Sequence, residues 1–161
     1  MNPTLYVMVG LPGSGKSTFA QEHLSRITES VYISRDALRL SLLSESESYW
    51  AHEKEVYKDF TAMIARNLSH GLNVIADATH LNIYSRTKLI NAIANEGLPI
   101  TQYDIVYVVM MADTNTCIIR DNLRTGRQHV GSEAIMDMES HFTIPKRDEF
   151  LNVKGVWKIY E

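Results

Sequence analysis

A chain of 161 residues, 45% apolar and 22% charged, is long enough to bury one core without staples and has the composition of an ordinary globular domain. Its formal net charge of −3 excludes a protein that coats nucleic acid through overall positive charge, so any nucleic-acid contact has to be local. A single cysteine, Cys117, excludes an internal disulfide and fits a reducing, cytoplasmic setting.

The opening MNPTLYVMVG has no basic segment followed by a long apolar stretch, so no signal peptide is expected. No apolar run reaches membrane-spanning length, and no membrane partner is expected. Thr4–Val9 is a continuous apolar run suited to a buried parallel strand. A glycine-rich loop follows, and Lys16–Arg26 reads as a helix. Val31–Ser34 is a short second strand, and Ser34 is placed to cap a helix over DALRLSLL. SESESYW reads as a solvated loop. Val56, Phe60, Met63, Ile64 and Leu68 recur at near-helical period in a segment that stops at His70-Gly71. LNVIAD is a third strand, Ile83–Gly97 an amphipathic helix and YDIVYVVM a fourth strand. Asp113 is placed to cap TNTCIIRDNLR. TGRQHVG is a loop, SEAIMDMESHF a last helix and GVWKIYE a closing edge strand.

This alternation predicts one three-layer α/β domain over residues 1–161 with a mostly parallel sheet. Ligands of such sheets bind beyond the carboxyl ends of the strands. Gly10–Ser17, Ser34–Asp36 and Asp77–His80 each follow a strand directly, so they share that rim.

Gly10, Gly15, Lys16 and Ser17 satisfy G-x-x-x-x-G-K-[ST], the phosphate loop of P-loop NTPases, here with the strand before it and the helix after it that the motif requires. The glycines let backbone N–H groups of Gly13, Ser14, Gly15 and the residues through Thr18 converge on phosphate oxygens, with the helix N-terminus behind them. Lys16 reaches the β- and γ-phosphates, and the Ser17 hydroxyl is a Mg²⁺ ligand.

Asp36 and Arg39 in SRDALR are three apart and share a helix face. A carboxylate that accepts a hydroxyl proton and a guanidinium that grips an anionic acceptor suit phosphoryl transfer to an alcohol. The same pair is also compatible with a first-turn aspartate and a solvent-facing arginine. Asp77, at a strand end, is placed beside Ser17 to support the metal, or is simply a turn residue. Arg120 and Arg124, at i and i+4, project from one face of a helix end, and Arg127 follows Gly126. Arginines on a segment of about residues 120–131 can close over a nucleotide as a lid. They are also compatible with a solvated basic helix end.

GLPGSGKST, SRDALR, VIADATHLN and the arginine segment before HVGSEAIMDMESHF occur in the order of the bacteriophage polynucleotide kinase family, which the chain resembles from about Leu5 to Phe142. It shares the loop and the aspartate with zeta-toxin-related kinases that act on small molecules. The resemblance implies a kinase-type fold, ATP as donor and the 5′-hydroxyl of a polynucleotide as acceptor. By the same resemblance Lys16 and Ser17 hold ATP and metal, Asp36 is the general base, Arg39 contacts the acceptor's phosphate and Arg124 is the lid arginine. Asp77 matches a strand-end aspartate and Arg120 a second lid arginine. No D-x-D phosphatase motif is present, so no 3′-phosphatase activity is expected. Two other readings stay open: a small-molecule hydroxyl acceptor, and an ATP-binding switch with no acceptor.

The six histidines lack paired ligand spacing, so no zinc site is expected. His80 reads either as a substrate contact or as a surface loop residue. Tyr49 and Trp50 could stack on a base, but the expectation is core packing. Met136 is expected to pack inside.

Overall fold

The computed structural model describes residues 1–160. Its sheet has five strands: β1 (Thr4–Val9), β2 (Ser30–Ser34), β3 (Asn73–Asp77), β4 (Asp104–Met110) and β5 (Val153–Ile159), in spatial order β2-β3-β1-β4-β5. Every pairing is parallel, so the sheet is more uniform than the expected mostly parallel one. The helices are α1 (Lys16–His23), α2 (Arg35–Leu42), α3 (Glu53–Ser69), α4 (Ile83–Asn95), α5 (Thr114–Asn122) and α6 (Ser132–Ser140). The expected helix over Lys16–Arg26 tightens into a 3-10 turn at Leu24–Arg26.

Alternation along the strands builds two cores. Leu5, Val7 and Val9 of β1 face Phe60 and Ile64 of α3 and Ile93 of α4. Met8, between them in sequence, faces the opposite layer with Ala20 of α1 and Val106 and Val108 of β4. Central strands that are covered on both faces need the continuous apolar runs seen in β1 and β4. A third, smaller cluster of Leu11, Cys117 and Ile135 seats α5 and α6 beside the glycine-rich loop.

Met136 is 58% exposed, contrary to expectation, because Ile135 and Met138, three apart, take the inward face of α6 and leave Met136 a third of a turn away. Ser34 and Asp113 cap their helices as expected, accepting from Ala37 N at 3.1 Å and Thr116 N at 2.8 Å.

Register brings the rim together. Ser34 is the partner of Asp77 in the β2–β3 ladder, and Gly10 N donates to the Thr79 carbonyl at 3.0 Å. The three segments expected on one rim therefore converge on it.

Candidate active site

The loop after β1 turns through two left-handed glycines, Gly13 (φ 81°) and Gly15 (φ 93°). A Cβ at Gly13 would sit 2.5 Å from the Cys117 carbonyl oxygen of α5, so this position also demands glycine by contact. No side chain caps α1, and its first turn holds no acid. The free N–H groups and the helix dipole are thus left for an anion. Within the loop Ser14 is buried, and Thr18 is exposed on the first turn of α1.

Lys16 folds back on this loop, donating from Nζ to the Leu11 carbonyl at 2.9 Å. Burial lowers its pKa to about 8; Asp77 raises it and Arg124 lowers it by smaller amounts. Ser17 Oγ donates to Asp77 Oδ2 at 2.6 Å, and the Tyr32 hydroxyl donates to the same oxygen. Burial and the Asp77 carboxylate push the Tyr32 phenol up to about 12, so it stays a neutral donor. No group of three or more His, Cys, Asp or Glu among the described residues forms a metal cage. The oxygen pair of Ser17 and Asp77 nonetheless fits Mg²⁺, which takes one or two protein oxygens and fills its octahedron with phosphate and water.

A cavity of about 330 Å³ joins this loop to the start of α2; its walls include Lys16, Ser17, Asp36, Arg39, Asp77 and Arg124. Asp36 is 48% exposed at the side chain. Its Oδ1 accepts from Arg39 Nη1 at 3.0 Å and from the Tyr49 hydroxyl. Its Oδ2 makes no hydrogen bond to a described side chain, which leaves that oxygen able to take a proton.

Arg39 is not the solvent-facing residue that one reading of the sequence allowed. It is 7% exposed, and Nε and Nη2 engage both oxygens of Glu53. The guanidinium lies 4.8 Å from the ring centroids of both Tyr49 and Trp50. Burial raises the Glu53 carboxyl, but Arg39 and Arg35 outweigh it and hold the group below its ordinary value. Tyr49 and Trp50 do not pack in the core: Trp50 is 57% exposed, and the pair meets edge to face over Arg39 on the cavity wall. The segment has no regular element to carry the rings inward, and the guanidinium offers a planar cationic surface instead.

The arginines after β4 separate. α5 ends at Asn122, so Arg120 and Arg124 do not project from one helix face. Arg120 donates to the Gly13 carbonyl at 3.3 Å, while Arg124 lies beyond the helix on the cavity wall. Arg127 donates to the Ser44 carbonyl at 3.1 Å, across from α2. Asp121, fully buried, accepts from the backbone N–H groups of Val130 and Gly131, both at 2.9 Å, and so anchors the far end of this segment.

His80 is neither exposed nor on the cavity wall. It is 6% exposed, its Nδ1 lies 2.7 Å from the Met8 carbonyl oxygen, and its ring stacks on Phe60. Burial lowers its pKa to about 4, so the ring is neutral and donates to Met8. Behind it Arg86, 1% exposed, donates to the His80 carbonyl and grips Glu149 with two hydrogen bonds of 2.7 and 3.0 Å.

The sequence reading missed Glu53, Tyr32, Asp121 and the Arg86–Glu149 pair. Each acts across elements far apart in sequence, and neither period nor motif marks such partners. Only Asp121, an acid at an otherwise apolar helix position, left a trace.

The rim, the glycine-rich loop and the parallel sheet define a P-loop protein of the kinase type. Residues 5–145 match the AAA domain family, and the chain belongs to it. It is 31% identical over 146 residues to L-seryl-tRNA(Sec) kinase of Methanococcus maripaludis, covering 88% of this chain and 53% of that one. A chain of the Pnkp1/Rnl/Hen1 RNA repair complex superposes with a TM-score of 0.73 at 26% identity, over 87% of this chain and 44% of the other. A gluconokinase from Sinorhizobium meliloti 1021 shares the fold, with a TM-score of 0.58 at 17% identity over 98% and 82% of the two chains. The chain thus spans about half the length of that tRNA kinase.

Proposed function

We propose that the protein is an ATP-dependent phosphotransferase that moves the γ-phosphoryl group to a hydroxyl, with the 5′-hydroxyl of a polynucleotide as acceptor. The observation that carries this reading is that one cavity is lined by Lys16 and Ser17 of the phosphate loop together with Asp36. A nucleotide switch has no use for a carboxylate held there. The tRNA kinase and the RNA repair complex support a nucleic-acid acceptor.

The Asp36 carboxylate takes the proton of the acceptor hydroxyl as that oxygen bonds to the γ-phosphorus. The bond to the β–γ bridging oxygen breaks, and ADP leaves with the electron pair. Lys16 and Arg124 neutralise charge on the transferred group. Ser17 and Asp77 would hold Mg²⁺, which when bound draws charge from the phosphate oxygens. Arg39 has four of its five N–H donors engaged with Glu53, Asp36 and Tyr49. It orients Asp36 and turns one remaining donor toward an anionic acceptor. Arg120 steadies the loop through Gly13, and Arg124 closes from the segment that follows α5.

A small-molecule acceptor is the second reading, favoured by the cavity volume, which falls in the range of metabolite pockets. Label transfer from γ-labelled ATP to 5′-hydroxyl DNA and RNA, a 3′-mononucleotide and a panel of nucleosides and sugars separates the two. Label on the nucleic acids supports the first reading. Label confined to a small molecule overturns it in favour of the second.

A further inference from the structure

A second groove lies on the outer surface between α3 and α4, with a volume of about 400 Å³. It is lined by Tyr57 of α3 and by Tyr84, Lys88, Asn91 and Asn95 of α4. Those α4 positions are spaced four, three and four apart, so they form one stripe along the helix. Tyr84 is 76% exposed, a large ring left in solvent.

Three features say what would cover this stripe. Lys88 Nζ sits 4.4 Å from the Tyr57 ring centroid and has no carboxylate within ion-pair distance among the described residues. No acid among the described residues lines the groove, although the chain as a whole is acidic. The Arg35 guanidinium lies 5.0 Å from the same Tyr57 ring and also lines the catalytic cavity, so Tyr57 joins groove to cavity. From the cavity outward the order is Trp50, the Glu53-paired Arg39 and Arg35, Tyr57, Lys88 and Tyr84, so rings alternate with cationic groups and Lys88 is the one without a carboxylate partner among the described residues. Interleaved rings and cations follow the bases and phosphates of a single strand, and side-chain amides add sequence-tolerant hydrogen bonds.

We infer that this groove is a binding track for the nucleotides downstream of the phosphorylated end of a single-stranded nucleic acid. The inference rests on the polynucleotide reading above and extends it from the reacting end to the chain behind it. A mononucleotide or a free metabolite would leave the track empty.

The test uses 5′-hydroxyl dinucleotides and decamers, as DNA and as RNA, with wild type, Tyr84→Ala and Lys88→Gln. Both variants change exposed side chains outside the catalytic cavity. Wild type should show kcat/KM at least about tenfold higher for the decamer than for the dinucleotide, given the stacking energy of even one further base. Each variant should raise the decamer KM about fivefold or more, leaving kcat and dinucleotide kinetics unchanged. Lys88→Gln should also flatten the salt dependence of decamer binding by about 0.7 in log–log slope, one phosphate contact. Equal kcat/KM for dinucleotide and decamer in wild type, or variants that behave as wild type on the decamer, overturns the track and leaves the kinase reading standing. Fluorescence anisotropy of a labelled decamer reads binding without turnover. Binding that is lost in Lys88→Gln, with no label transferred to any nucleic acid, keeps the groove as a single-strand site but overturns the polynucleotide kinase reading, and with it the placement behind a phosphorylated end. No decamer binding by wild type overturns the track.

Discussion

Arg39 is the most heavily engaged side chain of the site, and replacing it with methionine tests whether that engagement is energetic. The change keeps the stem and removes two hydrogen bonds to Glu53, two to Asp36 and Tyr49, and two ring contacts. Breaking a fully buried ion pair costs about 3–5 kcal/mol. Here Glu53 is 27% exposed and keeps Arg35 at 3.2 Å, so the cost falls below that range, to about 2–3 kcal/mol. The assay is urea unfolding of Arg39→Met, Glu53→Gln and the double variant, read as a cycle. A coupling energy of about 1.5 kcal/mol or more is expected between the two positions. Arg39→Lys is the control: an ammonium keeps the charge but loses the planar fork and the stacking, and should recover less than half of the loss. A coupling below about 0.5 kcal/mol, or Arg39→Lys at wild-type stability, refutes the reasoning.

Further outcomes follow from the buried ionisable groups. With Lys16 at about 8 in the free protein, a polyphosphate raises its pKa on binding, so near pH 8 nucleotide binding takes up protons. Binding heats measured in two buffers of different ionisation enthalpy should then differ; equal heats contradict the assignment. The folded Lys16 pKa lies below the unfolded one, so its destabilising charge is fully present below pH 8 and relieved toward pH 10.5. Lys16→Met should raise Tm at pH 7 while abolishing nucleotide binding. His80 at about 4 binds its proton less readily folded than unfolded, so stability falls as pH drops from 6.5 toward 4, by up to about 3 kcal/mol. His80→Asn, which tolerates the left-handed backbone at φ 46°, should flatten that limb in denaturation followed against pH. Arg86→Met strands the Glu149 carboxylate in the interior and should cost about 3–5 kcal/mol by thermal or urea unfolding.

What was legible in the sequence was what is local. β1 and β4 are apolar runs because both faces are covered, and the loop between β1 and α1 announces itself by glycines at fixed offsets. Lys16, Ser17, Asp36 and Asp77 could be placed on one rim because each lies at the end of a strand or just beyond it. The environment of those residues could not be read. Arg39 looked like half of an i,i+3 pair, yet its main partner is Glu53, from the next helix. His80 looked like a loop residue, and it does sit in a loop, but one drawn inward by the Met8 carbonyl. Tyr49 and Trp50 had the composition of a core and the position of a wall, because a buried guanidinium gives an aromatic pair something to cover outside the core. Arg120 and Arg124 followed helical spacing past the point where the helix stops.

The central claim is that Asp36 takes the proton of an acceptor hydroxyl beside a nucleotide held by the Lys16 loop. Asp36→Asn tests it most directly, under single turnover with the best acceptor and with ATP affinity measured in parallel. The carboxamide keeps the size and can still accept from Arg39 and Tyr49, so only the base is removed. A fall of about 10²–10⁴ in the transfer step, with ATP affinity unchanged, is the predicted result. Transfer within a few-fold of wild type would contradict the account.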